Sequence, residues 1–239
     1  MSIGEKLTTI AENEQKVFDA GKKAEYDKQW DNQQNYGKRQ NYLCGFAGAG
    51  WTNENFKPKY SMDITYAYMM FRNNACTRSL PDICTEQNIS IKFDKTTEFT
   101  QTFFAAGFSV IGEVSTISAT TLPSTFYGIK AHTIEKLVLK DNGTQTYSST
   151  FTNANTLTHI IIEGKIGTAF DIHYSPLDKE SILSIADAVL DKTFTIKFNL
   201  DAVNKAFETS EGTNDGSTST EWTNLWTDKP KVTISLLNA

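Results

Sequence analysis

Apolar residues recur through the middle of the chain as a two-part motif. Its first part is a phenylalanine, usually preceded by Thr or Met, with an apolar or small residue four positions earlier. The copies are Ala67-x-x-Met70-Phe71, Phe99-x-x-Thr102-Phe103, Leu122-x-x-Thr125-Phe126 and Tyr147-x-x-Thr150-Phe151. The second part follows six to nine residues after each Phe as Leu80/Ile83/Thr85, Ile111/Val114/Thr116, Ile134/Leu137/Leu139 and Leu157/Ile160/Ile162, with starts 31, 23 and 23 residues apart.

This spacing predicts a leucine-rich-repeat-like solenoid over residues 62–174. A period of about 20 to 29 residues with one short apolar strand is typical of such repeats, because a single coil cannot bury both apolar sides and must stack on its neighbours. The named residues would face inward, and those between them would lie on an exposed parallel sheet. Weaker echoes flank the array at Tyr42-x-x-x-Phe46 and Ile166-x-x-x-Phe170. The alternative is an all-β sandwich of short, regularly spaced strands.

Both ends of the chain differ from the repeats. Residues 1–34 predict an amphipathic helix with a short heptad seam at Ile3, Leu7, Ile10 and Val17. The seam favours self-association through a coiled coil, and the alternative is a helix packed on its own domain. Residues 35–61, rich in Gly and aromatic side chains, predict an irregular N-terminal cap in which Gly45-x-x-Gly48-x-Gly50 forms a turn.

Residues 175–239 predict an α/β cap that covers the open apolar end of the array. Ser175 and Pro176 are a candidate N-cap and first-turn proline for a helix over 180–190. A strand over 194–198, a short helix after Asn199, a helical turn at 222–226 and a closing strand over 232–236 follow. The predicted fold class is therefore an α/β repeat: a short solenoid with an N-terminal helix and an α/β C-terminal cap.

The middle of the chain resembles the BspA-like leucine-rich-repeat family over about residues 62–198. The copy from Thr150 to Ile162, with Phe151, Ala154, Leu157 and Ile160 between, matches that family's pattern well. The opening stretch from Ile3 to Glu14, with 26–31, is similar to openings of such repeats in phages and prophages of gut Gram-positive bacteria. The resemblance implies a non-enzymatic virion structural protein: a tail, baseplate or fibre component. A bacterial adhesion or protein-binding module outside a virion is the alternative.

Charge and hydropathy exclude several classes of function. The chain has a net charge of −5 and no block of like charges, which disfavours nucleic acid as a partner. No run approaches the roughly 20 apolar residues of a membrane span, so we expect no membrane insertion. The charged N-terminus lacks the apolar core of a signal peptide. We therefore expect synthesis in the host cytoplasm and localisation in a virion.

The residue pattern offers little catalytic chemistry. Cys44, Cys76 and Cys84 lack metal-ligand spacing, and His132, His159 and His173 fall in no metal or catalytic motif. We expect no catalytic residue, no metal and no cofactor. Glu113, Glu135 and Glu163 take matching positions in successive copies, where solvation is the default and a ladder of acids that binds cations or glycans is the alternative.

These patterns predict two surfaces for partners. The first is the outward side of the repeat sheet, which would contact other virion proteins or a host-cell receptor, either protein or glycan. The N-terminal seam would form a homo-oligomer, with a trimer favoured. The candidate surface residues are Glu113, Ser115, Glu135, Lys136, Val138, Thr158, His159, Ile161 and Glu163.

Overall fold

Phenylalanine rings form a continuous stack through the computed structural model, which describes residues 45–58 and 60–238. Consecutive ring centroids are 5.2–5.5 Å apart. The first four pairs are nearly parallel, and the last is tilted by 57°. The stack contains the phenylalanine of all four motif copies and of both weaker echoes: Phe46, Phe71, Phe103, Phe126, Phe151 and Phe170.

The backbone around each motif phenylalanine makes the same tight turn. The residues two before and two after it have φ between 49° and 60° in all four copies. Glycine occupies only one of these eight left-handed positions, Gly128. The amides of Gln101, Phe103 and Ala105 donate to carbonyls of the next turn at 2.8–3.1 Å, and the turns around Phe71 and Phe126 repeat this pattern. We call these segments the Phe turns.

The threonine before the phenylalanine binds each Phe turn to the preceding one. The buried Thr102, Thr125 and Thr150 hydroxyls donate to the carbonyl of the residue four positions before the preceding phenylalanine, at 2.9, 3.1 and 2.5 Å. The sequence motif has two recurring positions besides the phenylalanine, one immediately before it and one four residues before it. A hydrogen bond between successive copies joins the first of these positions to the second. Because the hydroxyl is buried, this bond also satisfies a polar group that would otherwise be costly.

Among the described residues, eight strands and four short α-helices connect the Phe turns and follow them. The strands are β1 (Met62–Asp63), β2 (Ile91–Lys92), β3 (Val110–Ser115), β4 (Thr133–Val138), β5 (His159–Glu163), β6 (Phe170–Asp171), β7 (Phe194–Asn199) and β8 (Val232–Leu237). The helices are α1 (Leu80–Glu86), α2 (Lys179–Ala188), α3 (Leu200–Ala206) and α4 (Thr220–Asn224), with a 3₁₀ turn at Gly216–Thr218.

The strands form three small parallel sheets, in the orders β1-β2, β3-β4-β5 and β6-β7-β8. The described chain is thus a mixed α/β protein with parallel sheets. The leucine-rich-repeat-like solenoid remains a prediction.

The register of the central sheet corrects one motif alignment. Ile134 pairs with Ile111 on one side, as predicted, but with Ile160 on the other, not with Leu157. In β3 and in β4, two residues separate the buried positions of the motif. In β5, only one residue separates the buried Ile160 and Ile162. This bulge shifts the register between β4 and β5, which the equal spacing in sequence concealed.

The first motif copy forms a helix where a strand was predicted. Ser79 caps α1 by accepting a hydrogen bond from the amide of Asp82 at 3.2 Å, and Pro81 lies in the first turn. Proline has a fixed φ and no amide proton, so it suits the start of a helix and not a paired strand. The helix α1 lies beside β3, at the edge of the central sheet.

The opposite edge of the central sheet is covered by α2. The Ser181 hydroxyl accepts from the Ile160 amide at 2.9 Å, and the Ser184 hydroxyl accepts from the Ile162 amide at 2.8 Å. An uncovered strand edge would present these amides to another chain. Both edges of the central sheet therefore meet a helix, and its outward face stays open.

The C-terminal elements agree with most of the predictions. The strands at 194–198 and 232–236 and the helix after Asn199 are confirmed, and the turn at 222–226 begins earlier, as α4. The cap of the helix over 180–190 was assigned wrongly, because Asp178 and not Ser175 accepts from its first turn. Trp222 and Trp226 pack on Phe198 with centroids 5.7 and 5.9 Å away.

The N-terminal cap is irregular in its described part. Residues 45–58 and 60–61 contain no helix or strand, and a turn occurs where the three glycines were predicted to form one. Trp51 and Phe56 pack against Phe46 with centroids 5.5 and 5.4 Å away, at the first layer of the stack. The predicted helix over 1–34, with Ile3, Leu7, Ile10 and Val17, lies outside the described residues.

Candidate functional site

The outward side of the central sheet carries most of the predicted surface residues. We call the surface formed by Glu113, Glu135, Lys136, Val138, Ile161 and Glu163 the sheet face. The three glutamates are exposed, and the other three side chains are half-buried. Because every one of them lies on β3, β4 or β5, backbone pairing fixes their relative positions.

Lys136 lies between two carboxylates at the centre of the sheet face. Its Nζ is 3.1 Å from Glu113 Oε2 and 3.3 Å from Glu163 Oε2. The two carboxylates raise the pKa of Lys136, so this residue is positively charged at neutral pH. The alternative, a ladder of three aligned acids, does not form, because Lys136 and not Glu135 lies opposite Glu113 in the regular register of β3 and β4. The group Glu113–Lys136–Glu163 has a net charge of −1.

Apolar side chains flank this charged group. Two shallow depressions meet at Glu163: one is lined by Ile117, Val138 and Asn142, and the other by Ile161 and Leu183. Ile117 is 44% exposed, which is unusual for so large an apolar side chain in this protein. The sheet face thus combines a few half-exposed aliphatic groups with a polar rim, a pattern found where proteins bind proteins.

Ser115 does not belong to this surface. It was predicted to face outward, but it is only 5% exposed. The two residues beside it, Val114 and Thr116, are buried as well, so the alternation ends before the strand leads into the following turn. The prediction assumed that burial alternates through Val114, Ser115 and Thr116, whereas all three are buried.

Thr158 and His159 lie at the start of β5, where they contact the helix α2. His159 Nδ1 is 2.8 Å from Asp178 Oδ2, and the Thr158 hydroxyl donates to the His132 carbonyl at 3.0 Å. Burial would raise the pKa of Asp178, but hydrogen bonds from Ser181 and His159 outweigh it and lower that pKa. His159 therefore lies at the junction between strand and helix, where it pairs with a carboxylate.

A second histidine also pairs with a carboxylate. His173 Nδ1 is 2.5 Å from Asp171 Oδ1, and Lys197 Nζ is 3.0 Å from Asp171 Oδ2. Burial opposes ionisation here too, but the hydrogen bonds from His173 and Lys197 lower the pKa of Asp171. Neither histidine pair is joined by further ligands: residues 45–58 and 60–238 contain no group of three or more His, Cys, Asp or Glu side chains placed to hold a metal ion.

A row of surface aromatic residues beside the stack was not predicted from the sequence. Phe104 and Tyr127 stack in parallel with centroids 4.7 Å apart, and the Arg72 guanidinium lies 5.1 Å from the centroid of the Phe104 ring. Asn153 Nδ2 donates to Tyr127 Oη at 2.8 Å. Arg72, Phe104 and Tyr127 each directly follow a stacked phenylalanine, so extending the motif by one residue would have revealed the row.

Comparison of the chain with protein-family models, with curated proteins and with solved structures found no match. The described residues form a mixed α/β fold with parallel sheets. No helix among the described residues is long and apolar enough to span a membrane.

Proposed function

We propose that this chain is a non-enzymatic virion structural protein of a phage or prophage that presents its sheet face to a partner. The partner is another virion protein or a receptor on the host cell. The assignment to a virion rests on the resemblance of the repeats and of the N-terminal stretch to such proteins. The choice of the sheet face rests on the geometry of the described residues.

The observation that supports the choice of the sheet face is the presence of a helix at each edge of the central sheet. Helix α2 covers the edge of β5 through Ser181 and Ser184, and α1 lies along β3. A partner that added a strand to an edge would first have to displace a helix, whereas a partner that binds the face meets side chains already fixed by the sheet. Rigid placement lowers the entropy lost on binding.

The composition of the sheet face favours a protein partner with a positive charge. Val138 and Ile161 offer half-exposed aliphatic surface beside the Glu113–Lys136–Glu163 group, whose net charge is −1. Glu135 adds a further carboxylate. Complementary charge across an interface speeds encounter and sets orientation, while the apolar centre provides most of the affinity.

The virion assignment is tested in particles induced from the bacterium whose genome carries the gene. Quantitative mass spectrometry of purified particles should find the chain at a fixed ratio to the major structural proteins. Recovery only from the cell envelope or the culture medium would contradict the assignment and favour the adhesion module.

The oligomer is tested by size-exclusion chromatography with light scattering. Full-length protein is expected to run as a homo-oligomer, with a trimer favoured, and a variant lacking residues 1–34 as a monomer. Monomers in both cases would contradict a role of Ile3, Leu7, Ile10 and Val17 in association.

The sheet face is tested with the substitution Ile161→Asp. Fluorescently labelled variant protein should bind cells of the same bacterium, or the purified particles, at least several-fold more weakly than the parent protein. The matched control is Glu211→Gln in the C-terminal region, which should bind like the parent. Equal binding by all three proteins would exclude the sheet face.

A further inference from the structure

An apolar groove lies between the helix α1 and the strands β2 and β3. It encloses about 290 Å³, close to the lower limit of the range for ligand pockets, about 300–1,000 Å³. The groove is lined mainly by apolar side chains from these elements, among them Leu80, Pro81, Cys84, Ile91, Ile111 and Val114. We call it the α1–β3 groove.

Gly112 sets the width of the groove where the helix approaches the sheet. A Cβ atom at this position would be 3.0 Å from Pro81 Cγ and 3.6 Å from Glu135 Oε2. The missing side chain therefore lets α1 approach β3 while the Glu135 carboxylate stays at the groove. A side chain at position 112 would require Pro81 to shift by a few tenths of an ångström.

Two carboxylates line the otherwise apolar groove, and they are not equivalent. Glu113 shares the ammonium group of Lys136 with Glu163. Glu135 is exposed, and among residues 45–58 and 60–238 no side chain forms a hydrogen bond or ion pair with its carboxylate. The groove thus offers an apolar cavity with one uncompensated negative charge beside it.

We infer that the α1–β3 groove binds a segment of a partner protein in which an apolar side chain is followed by a lysine. The apolar side chain fills the cavity, and the lysine ammonium pairs with Glu135. A lysine suits this position because its methylene chain can lie on apolar surface while its charged end reaches the carboxylate. An anionic segment is disfavoured, since it would place like charges beside Glu135 and Glu113.

Cys84 provides a reporter inside the groove. Its thiol is half-buried, and burial raises the pKa of Cys84 to about 11. Alkylation by iodoacetamide at about pH 9 is slow enough to follow, because the thiolate is the reactive form. Peptide mapping by mass spectrometry reads Cys84 separately from Cys44 and Cys76, so the full-length protein can be used without other substitutions.

The probes are three dipeptides that differ in the second side chain, which is cationic, neutral or anionic. Acetyl-Leu-Lys-amide is compared at millimolar concentrations with acetyl-Leu-norleucine-amide and acetyl-Leu-Glu-amide. We expect the lysine probe to protect Cys84 best, with about two- to fivefold higher affinity than the norleucine probe, the range for an exposed ion pair. Equal protection by the lysine and norleucine probes, or no protection by any probe, would overturn the proposal.

The substitution Glu135→Gln identifies the carboxylate, with Glu211→Gln as the matched control. In the Glu135→Gln protein the preference for lysine over norleucine should fall to nearly one, while the control keeps it. The ratio between the two probes is compared within each protein, so a change in the intrinsic reactivity of Cys84 cancels. A preference that survives Glu135→Gln would refute the pairing.

A free amine separates a protein partner from a small ligand. If 4-phenylbutylamine protects Cys84 at lower concentration than the lysine dipeptide, the groove is a small-molecule site and the choice of a protein segment is wrong. None of these outcomes depends on the virion assignment: the dipeptide can bind a protein that is absent from particles, and a virion protein can fail to bind the dipeptide.

Discussion

The phenylalanine stack and the central sheet are built from the same repeats, yet they respond differently to irregular spacing. Along the chain, neighbouring phenylalanines are separated by 19 to 32 residues, and their rings still lie 5.2–5.5 Å apart. The central sheet spans only three copies, changes register between β4 and β5, and meets a helix at each edge.

The contrast has a physical cause. The stacked rings of Phe71, Phe103 and Phe126 are each held by a turn with two left-handed residues and three backbone hydrogen bonds to the next turn, so these turns cannot lengthen without losing them. A strand segment can accept an extra residue as a bulge or be replaced by a helix, provided that apolar side chains still point inward. The Phe turns therefore fix the spacing of the stacked rings. The segments between the turns vary in length and in secondary structure.

Breaking the stack should have the largest effect on stability. Phe126 is fully buried between Phe103 and Phe151. The substitution Phe126→Ala should lower the free energy of unfolding by about 3–5 kcal/mol, because it removes a large buried side chain and leaves a cavity. Urea unfolding measures the change. The control on the sheet face is Val138→Ala, and a cost as large as that of Phe126→Ala would contradict the contrast between the two regions.

Opening the edge of the sheet should have the next largest effect. Ser181 is fully buried, and its hydroxyl accepts from the Ile160 amide. The substitution Ser181→Ala leaves that buried amide without an acceptor and should cost about 1–3 kcal/mol, again measured by urea unfolding. The exposed Ser148→Ala is the control. If both variants have the same stability, the hydroxyl of Ser181 does not protect the edge.

The sequence contained enough information to find the stack but not the turn geometry. Phe71, Phe103 and Phe126 recur with a threonine or methionine before them, and self-alignment is sufficient to detect that pattern. The left-handed positions are held by residues such as Met69, Gln101 and Ser124, whose types carry no signal for positive φ. The hydrogen bonds between turns, which explain the threonine, join residues 26 to 35 positions apart.

The central sheet was harder to predict, because the prediction assumed the same strand spacing in every motif copy. Ser79 and Pro81 carry an ordinary signal for the start of a helix, but alignment to the other copies favoured a strand. Leu157 was aligned with Ile134 by equal spacing, and the bulge moves that pairing to Ile160. The pairing of Glu113 with Lys136 follows the regular register of β3 and β4, whereas the position of Glu163 beside Lys136 depends on the bulge. The candidate site could therefore be predicted as a set of residues but not as a complete arrangement.

The cap of α2 should contribute less, and in a manner that depends on pH. Asp178 accepts from the Ser181 amide at 2.8 Å and pairs with His159. The substitution Asp178→Ala should cost about 1 kcal/mol at neutral pH through loss of the cap. The folded protein lowers the pKa of Asp178 below 3.8, so the stabilisation is present above that value and is lost as the pH falls through the folded pKa.

The measurement is urea unfolding at about pH 7 and about pH 2.5. The stability difference between the parent and Asp178→Ala should shrink at the lower pH. Asp187→Ala, in the last turn of the same helix, removes a carboxylate with no cap role and is the control. A difference that stays constant between the two pH values would show that the ionised carboxylate is not the stabilising group.

Changing the charge at the centre of the sheet face should have the smallest effect on stability. Lys136, Glu113 and Glu163 have side chains that are 39%, 55% and 62% exposed, so water and salt screen their attraction. We expect Lys136→Ala to lower the free energy of unfolding only slightly, with a difference that falls further when salt is added during the same urea titration. Val138→Ala again serves as the uncharged comparison, since its cost should not change with salt. A loss as large as that of Phe126→Ala would mean that the ion pairs stabilise the fold as strongly as the phenylalanine stack does. A small loss would mean that the sheet face can change its charge while the stack preserves the fold, which is the property that a surface specialised for binding requires.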